Sequence, residues 1–397
     1  MYSLLLAIIY ISFISLGLPD SLLGAAWPVM HGDLGVPQSL AGVITMIISA
    51  DTILSSLLSD RLTHRFGAGR VTAVSVLTTA VALFGFSIST RFWMLCLWAV
   101  PYGLGAGAVD AALNNFVALH YSSRHMSWLH CFWGVGASVS PYIMSAALTG
   151  GLGWGGGYRI VSVIQFILTA CIFLSLPLWT RAIPRSAEAA APQADAADRG
   201  PIPLRDVIRI PGAAFLFLMF FAYCGVEQTS MLWASTYMVS AKAVPVEEAA
   251  RFAALFTLGI TLSRFLSGFI SNRLGDRNMI RLGSLFLALG LILVALPVKG
   301  TAFAIAGLMM TGFGCGPIYP SIIHATPDNF GADKSQAIIG MQMASAYVGT
   351  TFLPPLLGLL SGFLGIGIFP VYVIALFVLM LAMFTLMNRS LATETAR

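Results

Sequence analysis

Charged side chains are scarce in this sequence. Its 397 residues include 21 lysines and arginines and 16 aspartates and glutamates, together 9% of the chain, whereas 58% of the residues are hydrophobic. Soluble domains carry about 25% charged residues, so this composition and the mean hydropathy of +0.87 exclude an ordinary soluble protein. They indicate a polytopic membrane protein. The formal net charge of +5 needs no nucleic-acid partner to explain it.

Cysteine is rare as well, and the sequence signatures of enzymes are missing. The five cysteines lie inside apolar runs without C-x-x-C spacing, which argues against a disulfide framework and against a metal site. The sequence has no H-E-x-x-H pair, no nucleophile elbow and no Walker motif. It therefore predicts neither an enzyme nor a bound cofactor.

Long apolar runs, in contrast, are abundant. Each of twelve runs has the roughly 20 residues that an α-helix needs to cross about 30 Å of hydrocarbon. The runs cover about residues 4–30, 39–58, 71–89, 92–119, 127–149, 158–180, 211–239, 248–271, 280–298, 301–326, 335–361 and 364–387. The first run lacks a basic n-region and is too long for a signal peptide, so we expect it to be retained as helix 1.

These runs predict an all-α membrane protein with twelve transmembrane helices in two pseudo-symmetric six-helix bundles. We expect the first bundle at residues 1–182 and the second at 210–397. Between them, residues 183–209 are rich in alanine and proline and predict a flexible cytoplasmic linker. The sequence LRDVIRIP, residues 204–211, could form a short amphipathic helix on the membrane surface.

Basic residues concentrate on one side of the predicted bundles. The basic side has Arg61, Arg65, Arg70, Arg124, Arg181, Arg185, Arg199, Arg205, Arg209, Arg273, Arg277, Arg281, Lys334, Arg389 and Arg397. The other side has only Arg91, Arg159, Lys242, Arg251 and Lys299. Cytoplasmic loops hold positive charge more readily than translocated loops. We therefore expect both termini in the cytoplasm and the protein in a bacterial-type inner (plasma) membrane.

The two halves of the chain repeat each other. GLGAGAVD, starting at Gly103, matches GFGCGPIY, starting at Gly312, in the fourth run of each half. GVGASVSP has a counterpart in YVGTTFLP, and SDRLTHRFGAGR has one in SNRLGDRNMIR. Gly103 with Gly107, and Gly312 with Gly316, form G-x-x-x-G spacings. These spacings predict close helix packing in lipid. Duplicated bundles of this kind are a known transporter plan.

With these motifs, the chain resembles the major facilitator superfamily over essentially its whole length. It is most similar to the fucose:proton symporter family and its sodium-dependent glucose transporter branch. That family has the motifs G-x-G-x-G-x-x-E-x-x-x-N in helix 4 and Y-x-G-x-E in helix 7. The matching residues here are Gly103, Gly105, Gly107, Asp110 (in place of Glu) and Asn114, then Tyr223, Gly225 and Glu227. The resemblance implies a monomeric secondary transporter that works by alternating access, symporting a sugar such as a hexose with a proton or sodium ion.

The resemblance also implies a gate. The loop with Asp60, Arg61 and Arg70, and its repeat at Arg273, look like the loop signature that the superfamily carries between helices 2 and 3 and between helices 8 and 9. We expect these charges to hold the bundles together on the cytoplasmic side when the cavity opens outward. Arg264, in the SRFLSG segment of helix 8, is placed in the same gating group.

Carboxylates inside apolar runs are the candidates for ion coupling. A charge at the bilayer centre costs at least about 2.5–3.5 kcal/mol on insertion scales, so such residues usually face a cavity, a partner or the transport path. We expect coupling at Asp110, Glu227 and Asp20, although Asp20 could instead cap a helix break at Pro19. Asp51 could be either functional or a structural partner of a loop arginine.

The polar residues near these carboxylates suit a sugar. Asp110 and Asn114 are four residues apart and share a helix face, so a carboxylate and an amide can bind one ligand. Hydroxyl groups both donate and accept, while an aromatic ring can cover the apolar face of a pyranose. The candidate substrate-binding residues are Asp20, Asp110, Asn114, Asn115, Trp128, His130, Glu227 and Gln228.

Two other functions remain open at the level of sequence. A proton-coupled exporter of amphipathic small molecules would also use membrane carboxylates, but it usually has a more apolar, aromatic cavity. A membrane receptor or scaffold built on the same fold would not need its intramembrane carboxylates. The clustered polar residues favour a small polar solute.

Overall fold

The computed structural model describes residues 2–182, 200–244, 246–296 and 302–395. Within these ranges the chain forms fifteen α-helices and two short 3-10 turns, with no strand. The helices are α1 (Tyr2–Asp20), α2 (Leu22–Asp33), α3 (Ala41–Phe66), α4 (Ala68–Ser87), α5 (Phe92–His120), α6 (Ser123–Thr149), α7 (Gly153–Ala182), α8 (Leu204–Arg209), α9 (Ala213–Lys242), α10 (Val246–Leu274), α11 (Asp276–Ala295), α12 (Ala302–His324), α13 (Thr326–Phe330), α14 (Ser335–Leu364) and α15 (Phe369–Thr395).

The long helices fall on the predicted apolar runs. Eleven helical stretches within the described ranges are long and apolar enough to cross a membrane. Helix α10 covers the remaining run, predicted at 248–271, and completes the second set of six. The prediction of an all-α membrane protein with two six-helix bundles is confirmed.

The first predicted helix is interrupted. Helix α1 ends at Asp20 and α2 begins at Leu22, with Ser21 between them. Pro19 lies in the last turn of α1, where its missing N–H and its ring weaken a continuous helix. The two helices together still form one apolar stretch from Leu4 to Asp33. The interruption leaves Asp20 at the end of a helix, and whether it acts there as a cap or in coupling stays a prediction.

Contacts between residues divide the chain into two compact units. Unit 1 comprises residues 1–116 and 129–203, and unit 2 comprises residues 117–128 and 204–397. The segment 117–128, which includes the end of α5 and the start of α6, thus groups with unit 2. The bundle boundaries predicted from the sequence stay predictions, and most of the predicted linker, residues 183–199, lies outside the described residues.

In unit 1, α5 packs against α3 through its glycines. A Cβ atom added to Gly103 would lie 2.4 Å from the main-chain oxygen of Ile48, and one added to Gly107 would lie 2.2 Å from that of Thr52. A side chain of any size would therefore push the two helices apart. The close approach also lets Thr52 Oγ1 donate a hydrogen bond to the Gly103 carbonyl at 3.2 Å.

The same contact recurs in unit 2, between α12 and α10. A Cβ atom added to Gly312 would lie 2.0 Å from the main-chain oxygen of Phe256, and one added to Gly316 would lie 2.6 Å from Cβ of Ser263. These glycines are the counterparts of the α5 glycines in the internal repeat. The G-x-x-x-G prediction of close helix packing is confirmed in both units.

The short segment before α9 also forms the helix that its sequence allows. Helix α8 carries Asp206, which lies 3.7 Å from Arg205 and 4.0 Å from Arg209. All three side chains are exposed, and exposed ion pairs of this kind contribute little stability. Val207 is the buried residue of this helix.

Candidate functional site

A buried polar cluster in unit 1 joins α5 to α6. The Asn114 side-chain amide donates to Asp110 Oδ1 at 2.8 Å and to the Asp110 carbonyl at 3.0 Å. His130 Nε2 lies 3.1 Å from Asn114 Oδ1, and because an amide oxygen only accepts, the imidazole donates. All three side chains are buried. The carboxylate, amide and imidazole predicted from the sequence are therefore brought into one hydrogen-bonded chain.

A second cluster in unit 1 surrounds Asp20 at the end of α1. The Tyr102 hydroxyl donates to Asp20 Oδ1 at 3.2 Å, and the Trp133 indole donates to Asp20 Oδ2 at 2.9 Å. Helices α1 and α6 approach closely because α1 has Gly17, where an added Cβ atom would lie 2.1 Å from the Trp133 carbonyl oxygen. Asp20 remains exposed despite both donors. It is thus an accessible carboxylate held by two uncharged groups.

Unit 2 holds its carboxylate differently, with an ion pair between α9 and α10. Arg264 Nη2 lies 3.3 Å from both carboxylate oxygens of Glu227. The Tyr223 hydroxyl contacts Glu227 Oε2 and lies 2.8 Å from the Cys315 carbonyl oxygen. The side chains of Arg264 and Glu227 are only 5% and 14% exposed. Removing one partner of such a pair leaves a buried charge uncompensated.

The guanidinium of Arg264 has a donor that the protein does not use. Among the described residues, Nε of Arg264 is buried without a hydrogen-bond partner. The Cζ atom lies 5.9 Å from the centroid of the Tyr319 ring, which in turn packs 4.7 Å from the Phe220 ring. This buried N–H beside aromatic rings can donate a hydrogen bond to an oxygen of a ligand. Arg264 was predicted in the gating group, and the structure places it in this buried cluster.

The remaining candidate substrate-binding residues are Asn115, Gln228 and Trp128. Asn115 is buried on α5, and Gln228 is half-buried on α9. The Trp128 indole donates to the Phe265 carbonyl at 3.3 Å, and its ring packs against Phe269 with centroids 5.6 Å apart. Contact between these side chains and a substrate stays a prediction.

The predicted gating residues lie at helix ends. Asp60, near the end of α3, accepts a hydrogen bond from the main-chain N–H of Ile202 at 3.1 Å. Arg61, Arg70 and Arg273 are exposed. The Asp60 contact ties α3 to Ile202, in the later part of the predicted linker. The role of these four residues as a gate stays a prediction.

Sequence reasoning missed a polar cluster at the start of α11 in unit 2. Asp276 Oδ2 lies 2.6 Å from Nδ1 of His324, and Oδ1 accepts a hydrogen bond from Ser123 at 2.5 Å. The other ring nitrogen of His324 lies 3.0 Å from the Tyr121 carbonyl oxygen. Both ring nitrogens thus face acceptors, an arrangement that the doubly protonated ring satisfies. The residues in contact are far apart in the sequence. No motif or spacing therefore predicted that they would meet.

Two residues of the Asp20 cluster were missed as well. Trp133 follows His130 by three residues and so shares its helix face, a spacing that could have pointed to it. Tyr102 carries no such signal.

No group of three or more His, Cys, Asp or Glu side chains in the described ranges is arranged to hold a metal ion.

Comparisons with known proteins agree with this architecture. The chain matches the family model of the Major Facilitator Superfamily over residues 9–298 and 244–396. The probable nitrate/nitrite antiporter NarK1 of Thermus thermophilus is 26% identical over 385 residues, covering 87% of this chain and 84% of the relative. The glucose/mannose transporter GlcP of Bacillus subtilis is 21% identical over 315 residues, covering 78% and 77%.

Solved structures show the same fold. The transporter FucP in its outward conformation has a TM-score of 0.76 at 14% identity, covering 95% of this chain and 97% of that chain. A second structure of FucP, described as the E. coli fucose:proton symporter, has a TM-score of 0.74 at 15% identity, covering 96% and 98%. From its helices, its duplicated glycine contacts and its match to the family model, we conclude that the chain is a membrane transporter belonging to the Major Facilitator Superfamily.

Proposed function

We propose that this protein is an ion-coupled symporter of a small polar solute, a sugar such as a hexose, working by alternating access in a bacterial-type inner membrane. The observation that carries the proposal is the buried chain of hydrogen bonds from Asp110 through Asn114 to His130. An apolar helix rarely keeps such groups unless they face a ligand, a partner or the transport path.

The chemistry of the unit 1 clusters supports a polyhydroxy ligand. A carboxylate and an amide together accept from and donate to hydroxyl groups, which sugars present in fixed directions. The indole ring of Trp133, beside Asp20, supplies an apolar surface for the C–H face of a pyranose. GlcP and FucP are described as a glucose/mannose transporter and a fucose:proton symporter, and this likeness supports the sugar class.

Ion coupling is assigned to the unit 1 carboxylates. Asp20 is held by two neutral donors, and among the described residues no cationic side chain pairs with it within 4.0 Å. Asp110 accepts from the neutral amide of Asn114. Burial away from water favours the protonated form of a carboxyl group, so Asp110 can take up a proton when its surroundings are dry and release it when they are wet. Substrate and proton are coupled if both stabilise the same conformer.

Glu227 has a different role in this proposal. Its carboxylate pairs with Arg264 and holds the guanidinium in place, and the coupling ion is not assigned to it. The exposed charges at Arg61, Arg70 and Arg273, together with Asp60, form the proposed gate. They stabilise one of two packed states and do not bind the substrate.

A second candidate function is the transport of a small anion. The buried unused Nε donor of Arg264 favours it, because a guanidinium binds carboxylate or nitrate oxygens with paired hydrogen bonds. NarK1 is described as a probable nitrate/nitrite antiporter, which adds support for this class. In that case Glu227 would compete with the anion for the guanidinium.

Uptake into proteoliposomes separates these candidates. The purified protein is tested with labelled hexoses and with labelled nitrate, under an imposed proton gradient or an imposed sodium gradient. Accumulation of a hexose under one gradient supports the first candidate and identifies the ion. Accumulation of nitrate without any hexose uptake would replace it with the second. A folded protein that moves neither solute nor exchanges it would contradict both.

A further inference from the structure

A basic groove lies at the end of unit 2 where α11 begins and α15 ends. It has a volume of about 360 Å³. Arg277 and Arg281 line it from α11, four residues apart and so on one helix face. From α15 it is lined by Arg389 with Asn388 and Thr385. Three guanidinium groups thus converge on a concave surface together with neutral hydrogen-bonding groups.

In the part of the chain that the structure describes, no acidic side chain neutralises the positive charge of the groove. Within the described residues, no carboxylate lies within ion-pair distance of Arg277, Arg281 or Arg389. The neighbouring Asp276 contacts His324 and Ser123 instead. Arg281 Nη1 donates to the neutral side-chain oxygen of Asn278 at 3.3 Å. The groove is therefore suited to an anion supplied from outside the chain.

The surface beside the groove is apolar. Phe384 forms part of the groove itself. Farther along the two helices, toward their middle, Leu285 on α11 and Val378 on α15 are each 56% exposed. In a membrane protein, large exposed apolar side chains between basic residues and the helix centre are covered by lipid tails. If the headgroup of an anionic lipid lay in the groove, the acyl chains of that lipid would extend along these helices.

We propose that this groove binds the phosphate headgroup of an anionic glycerophospholipid. Arginine binds phosphate oxygens with paired hydrogen bonds, and basic pockets between transmembrane helices are suited to anionic headgroups. Asn388 donates to the Phe384 carbonyl and Thr385 donates to the Leu381 carbonyl, and their side-chain oxygens can accept hydrogen bonds from glycerol hydroxyls. Under the orientation predicted from the arginines, the headgroup lies in the cytoplasmic leaflet. The proposal does not depend on which solute the protein transports.

The test is native mass spectrometry of the full chain in detergent, titrated with dioleoyl phosphatidylglycerol. The wild type is expected to retain phosphatidylglycerol in preference to dioleoyl phosphatidylcholine. The double variant Arg281→Gln/Arg389→Gln is expected to bind phosphatidylglycerol about tenfold or more weakly, because it loses two of the three guanidinium groups that line the groove. The variant Arg281→Lys/Arg389→Lys keeps the charge and is expected to lose less affinity.

A matched control removes the same charge elsewhere. Arg205→Gln/Arg209→Gln on α8 should leave phosphatidylglycerol binding unchanged. Equal loss in the control and the groove variant, or unchanged binding in the groove variant, would overturn the proposal.

Competition with millimolar inorganic phosphate tests whether the bound anion is a lipid or a soluble ion. Full displacement of the lipid by phosphate would show a site for a soluble anion and would contradict a lipid site, whereas retention of the lipid supports it.

Discussion

Unit 1 holds Asp20 with a phenol and an indole, whereas unit 2 holds Glu227 with a guanidinium. The glycine contacts of α5 with α3 in unit 1 nevertheless match those of α12 with α10 in unit 2. These helix contacts are thus alike in the two units while the partners of the two carboxylates differ. Under the proposed function, unit 1 would hold the coupling carboxylate among neutral donors, and unit 2 would hold a fixed charge pair.

The largest effect is expected from breaking the unit 2 ion pair. Arg264→Met leaves Glu227 buried without its cation, which typically costs about 3–5 kcal/mol of stability. Adding Glu227→Gln removes the second charge and should restore part of that loss. Thermal unfolding of the purified proteins in detergent measures both effects, with Arg205→Met, in an exposed pair, as the control. Equal losses in the single and double variants would mean that the pair contributes no charge compensation.

The next effect concerns the titrating carboxylate of unit 1. Asp110→Asn resembles a permanently protonated side chain, so we expect substrate exchange to continue while gradient-driven accumulation falls to the equilibrium level. Counterflow and active uptake in proteoliposomes measure the two activities separately. If the variant still concentrates substrate, Asp110 is not the coupling residue. Asp20→Asn is then the next variant to test.

A smaller effect is expected from the neighbouring amide. Asn114→Ala removes hydrogen-bonding groups without changing a charge, so substrate should bind about tenfold more weakly, equal to about 1.4 kcal/mol and within the range for one hydrogen bond. Coupling to the ion should persist. Binding is measured by calorimetry, with Asn278→Ala on α11 as the control. Normal affinity in Asn114→Ala would remove this residue from the substrate site.

The smallest effect is expected at the proposed gate. In Asp60→Asn the amide oxygen can still accept the hydrogen bond from Ile202, and only the charge is lost. We expect transport to slow roughly two- to fivefold, less than about 1 kcal/mol of barrier, with affinity nearly unchanged. Initial rates across a range of substrate concentrations separate the two quantities. A large loss of affinity in a folded variant would show that this loop contributes to binding.

Much of the fold could be predicted from the sequence because membrane helices are set by local composition. Apolar runs marked the helices, and the paired glycines marked where the helices touch. Asp110 and Asn114 were predicted to share a face because they lie four residues apart on one helix. Contacts within a helix follow from spacing alone.

Hydrogen bonds and ion pairs between side chains on different helices did not follow from the sequence. Tyr102 and Asp20 are 82 residues apart, and Arg264 and Glu227 are 37 residues apart. No spacing rule joins them, because the angle and the depth of packing between helices decide which polar groups meet. The break at Ser21 was missed as a boundary for a related reason. A single proline in an apolar run is compatible with either a kink or a complete interruption.

The glycine contacts of α5 with α3, and of α12 with α10, also have a mechanical consequence. Where main chain touches main chain, no rotamer change can absorb a displacement, since side-chain adjustments are what make most helix interfaces compliant. We therefore expect each pair to move as one body. A shift of α5 at Asp110 would then carry α3 with it, and so Asp60 near the end of α3.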